Sequence, residues 1–201
     1  MPFVLKLRVG VLVSHNGSNL REVHRASLVP GARFEVAAVI SNNSGSRGLA
    51  YARENRIPAR HLSGRTHPDP DELDEAIRAT LMQESVDLVV TAGYMRKLGP
   101  RTRGQFVSRI INVHPALLPR HGGSGMFGEH VHRAVLAAGD RVSGATIHLV
   151  DGEYDTGEVI AQLEVPVLPG DTVEVLGRRV LEAEHRLLPM VVQQIAIGQR
   201  P

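Results

Sequence analysis

An amide and an imidazole occur two residues apart at the end of one apolar segment. Asn112 and His114 lie in the stretch INVHP, immediately before Pro115. Because side chains alternate between the two faces of an extended chain, both polar groups should point to the same face. An amide N–H can stabilise negative charge on an oxygen, and an imidazole can donate or accept a proton. The pair predicts a catalytic site, with an ordinary hydrogen-bonded strand end as the alternative.

The loop DGEYDTG at residues 151–157 supplies a third candidate group, a carboxylate. If the chain brings Asp155 beside His114, the negative charge would favour the imidazolium, raise the histidine pKa and fix its tautomer. A solvated hairpin turn is the alternative for such an acidic loop. No Ser or Cys beside this set is a candidate nucleophile, and the chain contains no Cys at all. Amide, imidazole and carboxylate together predict acyl transfer.

A second motif, SHNGSNL at residues 14–20, predicts an anion site. A glycine between a strand and a helix lets backbone N–H groups approach an anion, and the helix N-terminus adds partial positive charge. The motif lacks the Gly-Lys-Ser/Thr of a Walker loop and the three spaced glycines of a dinucleotide fingerprint. Phosphate is the expected ligand, although Ser and Asn are also ordinary helix-capping residues.

The elements that must position these groups alternate along the first two thirds of the chain. The pattern predicts strands at 5–14, 34–41, 59–62, 86–91 and 110–114, and helices at 19–27, 48–55 and 69–84, with another helical segment before the last strand. Such alternation indicates an α/β protein with a doubly wound, mostly parallel open sheet. Ligands bind outside the carboxyl ends of strands in such sheets, and Asn112 and His114 lie at such an end.

The last third of the chain has a different pattern. Residues 145–150 and 158–167 flank the acidic loop and predict antiparallel strands that complete the sheet. A long amphipathic helix at 172–197 should end the fold, with Asp171 or Thr172 as its N-cap. Its expected apolar face consists of Val173, Val175, Leu176, Val180, Leu181, Leu187, Leu188 and Val191. No linker or repeat interrupts the pattern, so we expect one domain over residues 1–201.

Composition argues against several classes of function. Among 201 residues the net charge is +2, aromatic residues make up 3% and Trp is absent, which disfavours nucleic-acid binding. The sequence shows no apolar run near the length of a membrane helix and no signal-peptide pattern, and the lack of Cys agrees with a reducing compartment. His130 and His132 diverge around a predicted helix, so we expect no metal site. We expect a cytoplasmic protein with small-molecule partners, no nucleic-acid partner and no membrane partner.

Five motifs in this order and spacing resemble the glycinamide ribonucleotide formyltransferase family: GSNL at 17–20, AGYMRKL at 92–98, INVHPALLP at 111–119, DGEYDTGEVIAQ at 151–162 and LEAEHRLLP at 181–189. The resemblance covers nearly the whole chain. It implies a formyltransferase-like, Rossmann-related fold in a single formyltransferase domain. It also implies transfer of a formyl group from 10-formyltetrahydrofolate to the amine of 5'-phosphoribosylglycinamide in purine biosynthesis, by a monomer or homodimer.

The resemblance also assigns roles by position. The residues that match the family's catalytic set are Asn112, His114 and Asp155. Those that match the site for the phosphorylated substrate are Gly17, Ser18, Asn19, Pro115 and Glu184. Those that match the folate site are Met95, Arg96, Lys97 and Leu98, with Asn112 again. The substrate amine is then the nucleophile, which agrees with the lack of a Ser or Cys beside the set. The resemblance implies that Asn112 and protonated His114 stabilise the oxyanion formed by this attack, and 10-formyltetrahydrofolate is the only cofactor expected.

Some positions depart from the family pattern. His15 stands where many relatives have glycine, and residues 120–135 replace a shorter connection with a glycine-rich segment that we expect to form a mobile flap. Pro70 occupies a position that is often basic and near the folate glutamate tail, where Arg65 is a possible substitute. His148 lies at a family-like position, with a buried structural role as the alternative.

Three other functions agree with part of this pattern. Methionyl-tRNA formyltransferase shares the Asn, His and Asp set, but we expect it to need a further C-terminal domain beyond residue 201. Formyltetrahydrofolate hydrolase shares the set too, and we expect an added N-terminal regulatory domain there. A phosphate-binding sensor without catalysis would keep residues 17–19 but would not need Asn112, His114 and Asp155 together.

Overall fold

The computed structural model describes residues 5–199, which form seven strands and six helices. The strands are β1 (Leu7–Val13), β2 (Phe34–Ser41), β3 (Ala59–His61), β4 (Leu88–Thr91), β5 (Ile110–His114), β6 (Val142–Leu149) and β7 (Val159–Pro166). The helices are α1 (Ser18–Ser27), α2 (Arg47–Glu54), α3 (Pro70–Gln83), α4 (Pro100–Gln105), α5 (Glu129–Ala137) and α6 (Val173–Ala196). Strand β1 and helix α6 are slightly shorter at both ends than the strand predicted at 5–14 and the helix predicted at 172–197.

All seven strands form one sheet in the order β3-β2-β1-β4-β5-β6-β7. Strands β1 to β5 pair in parallel, and β6 and β7 join them antiparallel to their neighbours. This arrangement confirms the predicted doubly wound sheet with antiparallel strands near the C-terminus. The order in which the chain adds strands reverses between β1 and β4, so their carboxyl ends border a crevice where ligands bind in such folds.

Alternate residues of β1 pack on opposite sides of the sheet. Val9, Val11 and Val13 belong to a buried cluster with residues of α1 and α6, whereas Leu12 packs in a second cluster that contains residues of α3. Burial of both faces explains why the parallel strands are almost wholly apolar in sequence. The sheet is therefore held between two helical layers, and its polar strand ends are left for the site.

Helix α6 buries most of its predicted apolar face, with one correction. Leu176, Val180, Leu187, Leu188 and Val191 are fully or almost fully buried. Val175, predicted on the same face, is 41% exposed because it lies in the first turn, beside rather than on the buried stripe. The N-cap is Thr172, whose hydroxyl accepts a hydrogen bond from the N–H of residue 175.

Candidate functional site

A cavity of about 1220 Å³ opens at the carboxyl ends of β1, β4 and β5. It is lined by every residue that the sequence predicted for the site: Gly17, Ser18, Asn19, Met95, Arg96, Lys97, Leu98, Asn112, His114, Pro115, Asp155 and Glu184. These residues come from five separate segments of the chain. The fold therefore brings the predicted anion loop, polar strand end, acidic loop and C-terminal helix to one place.

The side-chain amide of Asn112 is held from two sides at the end of β5. The Thr91 hydroxyl donates to Asn112 Oδ1 at 2.8 Å from the end of the neighbouring strand β4. On the other side, Asn112 Nδ2 lies 3.0 Å from Nε2 of His148, the residue opposite it in the β5–β6 ladder. Two bonds fix the orientation of the amide, and the second N–H of Nδ2 stays available to a ligand.

The tautomer of His148 follows from its other ring nitrogen. Nδ1 lies 2.8 Å from the Leu149 carbonyl oxygen, which can only accept, so Nδ1 must carry the hydrogen. In the neutral ring Nε2 is then an acceptor, which agrees with Asn112 Nδ2 as its donor. His148 is 2% exposed and links the amide of Asn112 to the acidic loop, where its Nε2 lies 3.4 Å from Asp155 Oδ1.

His114 has the opposite tautomer. Its Nε2 lies 2.8 Å from the backbone carbonyl oxygen of His121, so Nε2 carries the hydrogen. Its Nδ1 faces Asp155 Oδ2 at 3.4 Å. The ring is almost completely buried, with 3% of the side chain exposed. Nδ1 is therefore the nitrogen of His114 that can exchange a proton with a ligand.

Asp155 reaches this cluster from the predicted acidic loop. Its backbone adopts the left-handed conformation (φ 58°), and its Oδ2 accepts a 2.9 Å hydrogen bond from the Gly123 N–H. Burial by itself would raise the pKa of Asp155, but the two neighbouring histidines and the Gly123 N–H outweigh burial and lower the pKa below its ordinary value. The carboxyl group is therefore an anion at neutral pH.

The pKa of His114 differs in direction from the prediction. Burial lowers it below its ordinary value, and the attraction of Asp155 and the bond to the His121 carbonyl only partly offset that effect. Asp155 does favour the imidazolium, as expected, but desolvation of a nearly enclosed ring is the larger effect. His114 is thus mainly neutral at neutral pH in the ligand-free protein.

Glu184, on α6, lines the cavity next to Asn19 at the start of α1. Its Oε2 accepts a 2.6 Å hydrogen bond from Asn19 Nδ2, and the residue is 7% exposed. Burial raises the pKa of Glu184 to about 7, against the opposite effect of the Asn19 bond. The partner atom Asn19 Oδ1 is buried without a hydrogen bond among the described residues. Asn19 and Glu184 thus retain unused hydrogen-bonding capacity beside the cavity.

The glycine loop has the geometry predicted for an anion site. Gly17 precedes α1 with φ 65°, and a Cβ there would lie 2.7 Å from the Gly48 Cα of helix α2. Only glycine fits this close approach in this conformation. The first turn of α1 begins at Ser18 and contains no acidic residue, so its free N–H groups and partial positive charge face the cavity.

Ser14 joins this loop to the predicted folate segment. Its buried hydroxyl accepts a 2.8 Å hydrogen bond from the Met95 N–H and donates to Asn42 Oδ1 at 2.7 Å. Leu98 is buried, whereas Lys97 forms an exposed 2.9 Å ion pair with Glu153 of the acidic loop. The segment 95–98 therefore places the partly exposed Met95 and the buried Leu98 along one wall of the cavity.

The sequence profile of the formyl transferase family matches residues 7–192. The chain belongs to the formyl transferase family. It is 42% identical over 193 residues to a chloroplastic phosphoribosylglycinamide formyltransferase of Vigna unguiculata, covering 96% of this chain and 62% of that protein. The chain thus spans about three fifths of the length of that relative. It is 33% identical to the phosphoribosylglycinamide formyltransferase of Haemophilus influenzae, covering 96% of this chain and 88% of that protein.

Solved structures agree with this family assignment. The crystal structure of a phosphoribosylglycinamide formyltransferase from Brucella melitensis matches with a TM-score of 0.89 and 39% identity, covering 96% of this chain and 97% of that chain. A glycinamide ribonucleotide transformylase from Symbiobacterium toebii matches with a TM-score of 0.89 and 38% identity, covering 96% and 89% of the two chains. The formyltransferase fold predicted from the sequence is therefore confirmed.

The glycine-rich segment of the chain borders the cavity. Gly123, Phe127 and His130 line it, and α5 begins at Glu129, so His130 and His132 lie on a helix as predicted. His130 is exposed and His132 is buried, although both line the cavity. The mobility of this segment stays a prediction. Neither Arg65 nor Pro70 is among the described residues that line the cavity.

Sequence reasoning missed several groups that hold the site together. Thr91 and Gly123 were not singled out, and His148 was placed at a family-like position with a buried structural role as the alternative, without a stated partner. A polar residue at the end of the apolar strand β4 was the available signal for Thr91. Within residues 5–199, no three His, Cys, Asp or Glu side chains converge as metal ligands. In that range, no helix combines the length and apolar character needed to cross a bilayer.

Proposed function

We propose that this formyltransferase transfers a formyl group from 10-formyltetrahydrofolate to the amine of 5'-phosphoribosylglycinamide, giving the N-formyl product and tetrahydrofolate in purine biosynthesis. The observation that carries the proposal is the convergence of Asn112, His114 and Asp155 in one cavity with an anion site at the start of α1. The relatives named phosphoribosylglycinamide formyltransferase support the choice of acceptor.

The cavity fits two adjacent small molecules. Its volume of about 1220 Å³ exceeds the ~300–1,000 Å³ typical of a single-ligand pocket. The wall at residues 95–98 offers apolar surface for a flat ring system, from the partly exposed Met95 and the buried Leu98. The opposite end offers the α1 N-terminus for a phosphate group. The unpartnered Asn19 Oδ1 beside it can accept from a hydroxyl group of the ligand.

At the acceptor end of the site, different groups would bind the phosphate and the ribose hydroxyls of the substrate. Backbone N–H groups of residues 17–19 would hold the phosphate, as helix N-termini commonly do. Glu184, held by Asn19, would accept hydrogen bonds from ribose hydroxyls, and ionised acceptors form the stronger bonds. Pro115 follows β5 directly and also lines the cavity. These contacts would place the substrate amine beside His114.

The proposed formyl transfer takes place at the end of the cavity that contains Asn112. When bound, 10-formyltetrahydrofolate supplies the formyl carbon, and the acceptor supplies the attacking amine. Asn112 can donate its free N–H to the formyl oxygen as negative charge develops there. His114 uses Nδ1, since Nε2 is committed to the His121 carbonyl, and Nδ1 can take up a proton from the amine or hold one for the departing nitrogen. Asp155 stabilises the imidazolium that results.

The lowered pKa of His114 agrees with this role. A neutral ring at neutral pH can act as a base toward an amine that loses protons during attack. Because Asp155 is already an anion, it lowers the free-energy cost of protonating the buried His114 ring. The same nitrogen can therefore accept a proton and return it without a covalent intermediate on the protein.

A two-substrate assay tests the proposal. The purified protein is mixed with 10-formyltetrahydrofolate, with and without phosphoribosylglycinamide, and both tetrahydrofolate and the formylated acceptor are measured. We expect product only when both substrates are present. Tetrahydrofolate release without the acceptor would favour a hydrolase, and binding without turnover would favour a phosphate-binding module. Either result would refute the proposed function.

A matched pair of variants tests the site. His114→Asn keeps a similar side-chain size but removes the ionisable ring, and turnover should fall by ~10²-fold or more while substrate binding changes little. His67→Asn makes the same change in a loop outside the cavity and should leave turnover unchanged. Equal rates for the two variants would rule out His114 as the proton-transfer group.

The location and assembly of the protein stay predictions from the sequence. We propose a cytoplasmic protein that acts on small molecules as a monomer or homodimer. Cell fractionation tests the location, and size-exclusion chromatography with light scattering tests the assembly.

A further inference from the structure

A chain of polar side chains lies behind His114, on the side away from the substrate cavity. The His121 backbone carbonyl accepts the hydrogen bond from His114 Nε2. The ring of the same residue extends the other way, where its Nε2 lies 2.7 Å from Asp140 Oδ2. Arg120 donates a 2.6 Å bond to the second oxygen, Asp140 Oδ1. Backbone and side chain of His121 thus link the catalytic ring to an outer ion pair.

The backbone of His121 needs this support. It has a positive φ of 54°, which is uncommon for any residue other than glycine, although His, Asn and Asp adopt it more often than the rest. A strained conformation persists only where its surroundings determine it. The ring is 15% exposed and the Asp140 side chain 10% exposed, so the bond between them is largely shielded from water. The bond therefore fixes the peptide whose carbonyl faces His114.

This outer pair is separate from the substrate cavity. His121, Asp140 and Arg120 line a different recess of about 280 Å³, which also includes Glu164, and none of the three lines the substrate cavity. Substitutions at these positions can therefore alter His114 without removing a contact to either substrate. The effect of these substitutions on His114 can therefore be measured separately from any effect on substrate contacts.

We propose that His121 and Asp140 are positioning residues that hold His114 in its Nε2–H tautomer and so direct Nδ1 toward Asp155 and the substrate. Without the fixed carbonyl, a neutral imidazole is free to place its hydrogen on either nitrogen. The Nδ1–H form has no lone pair with which to accept a proton at the reacting end. The kinetic consequence rests on the proposed function, but the tautomer does not.

The test uses two variants that remove the pair from either side. His121→Asn tolerates the left-handed backbone, but its side chain is too short to replace the ring between backbone and Asp140. Asp140→Ala removes the acceptor, and Asp140→Asn restores an acceptor oxygen without the charge. Glu164→Gln, in the same recess, is the control. Thermal unfolding of each variant establishes that it is folded.

The first measurement is ¹⁵N NMR of the His114 ring at pH 8, in protein with ¹⁵N-labelled histidine. We expect a single Nε2–H tautomer in the wild-type protein and in Glu164→Gln. His121→Asn and Asp140→Ala should show a mixture, and Asp140→Asn should return largely to the single tautomer. A single unchanged tautomer in the first two variants, or Nδ1–H in the wild type, would overturn the proposal.

The second measurement is steady-state kinetics with both substrates. His121→Asn and Asp140→Ala should lower kcat by about tenfold, as loss of ring preorganisation predicts, with KM for each substrate within about twofold of wild type. A rise in KM at unchanged kcat would contradict a positioning role. If the wild type lacks formyl transfer but the NMR result holds, the proposed function fails while the positioning of His114 stands.

Discussion

Replacement of Glu184 by Gln offers a direct measure of a buried charge in the proposed substrate site. The side chain is 7% exposed, and its described hydrogen-bond partner is the Asn19 amide. Burial raises the pKa of Glu184 from 4.5 to about 7. Gln has nearly the same shape and can accept the same Asn19 bond, but it has no ionisation. The variant therefore isolates the free energy of placing this charge in the protein.

The sign and size follow from proton linkage. A carboxyl group whose pKa is raised by folding binds its proton more tightly in the folded protein than in the unfolded chain. The stabilising contribution of protonated Glu184 is therefore complete below pH 4.5 and is lost as the pH rises through about 7. Because a tenfold change in proton affinity corresponds to about 1.4 kcal/mol, the raised pKa of Glu184 amounts to about 3 kcal/mol. Glu184→Gln should therefore gain about 3 kcal/mol of stability relative to wild type between pH 4.5 and pH 8.

Urea unfolding of both proteins at pH 5, 6, 7 and 8 measures this difference. The subtraction at each pH removes contributions from the other ionisable groups, provided that the m-values agree. An exposed carboxyl on β7, changed in Glu164→Gln, serves as the control. A difference between wild type and Glu184→Gln that is constant from pH 5 to pH 8 would refute a raised pKa. Glu184→Gln should also bind the phosphorylated substrate more weakly. The buried carboxylate lowers the stability of the protein, but it is proposed to contribute to substrate binding.

Three further predictions concern neighbouring groups. Asp155→Asn removes a charge that raises the His114 pKa, so NMR titration should show a further lowered pKa, and any pH–rate limb due to His114 should move to lower pH. Gly17→Ala places a Cβ against the α2 backbone at a residue with positive φ. This change should destabilise the protein by at least ~1–2 kcal/mol in urea unfolding. It should also raise KM for the phosphorylated substrate but not for the folate. Thr91→Val leaves Asn112 Oδ1 without its donor and should destabilise by ~1–3 kcal/mol in the same assay.

The parallel part of the fold could be predicted because its periodicity is local. The strand predicted at 110–114 matches β5 (Ile110–His114), and the period of two correctly placed Asn112 and His114 on one face. Strand ends were less certain, since β4 begins at Leu88 rather than at residue 86 and β6 begins at Val142 rather than at residue 145. These differences depend on pairing with neighbours, which local patterns do not encode.

The arrangement within the site required three-dimensional information. The role of His148 depends on the antiparallel register that sets it opposite Asn112, and a shift of one residue would turn its side chain to the other face. The net direction of the His114 pKa also could not be predicted, because it depends on how far burial outweighs the nearby Asp155 charge. The sequence identified the charged groups near His114, but it did not show how far the fold excludes water from the ring.

The opposed tautomers of the two buried histidines explain why Asp155 is placed between them. Backbone carbonyls take the N–H of His148 Nδ1 and of His114 Nε2, so the two ring nitrogens that face the carboxylate are those without hydrogen in the neutral rings. Both lie 3.4 Å from an Asp155 oxygen. The negative charge of Asp155 favours the imidazolium form of His114, although burial of the ring is the larger effect on its pKa. His148 Nε2 already accepts from Asn112, so His114 Nδ1 is the nitrogen beside Asp155 whose lone pair has no other partner, and both His114 and Asp155 line the cavity.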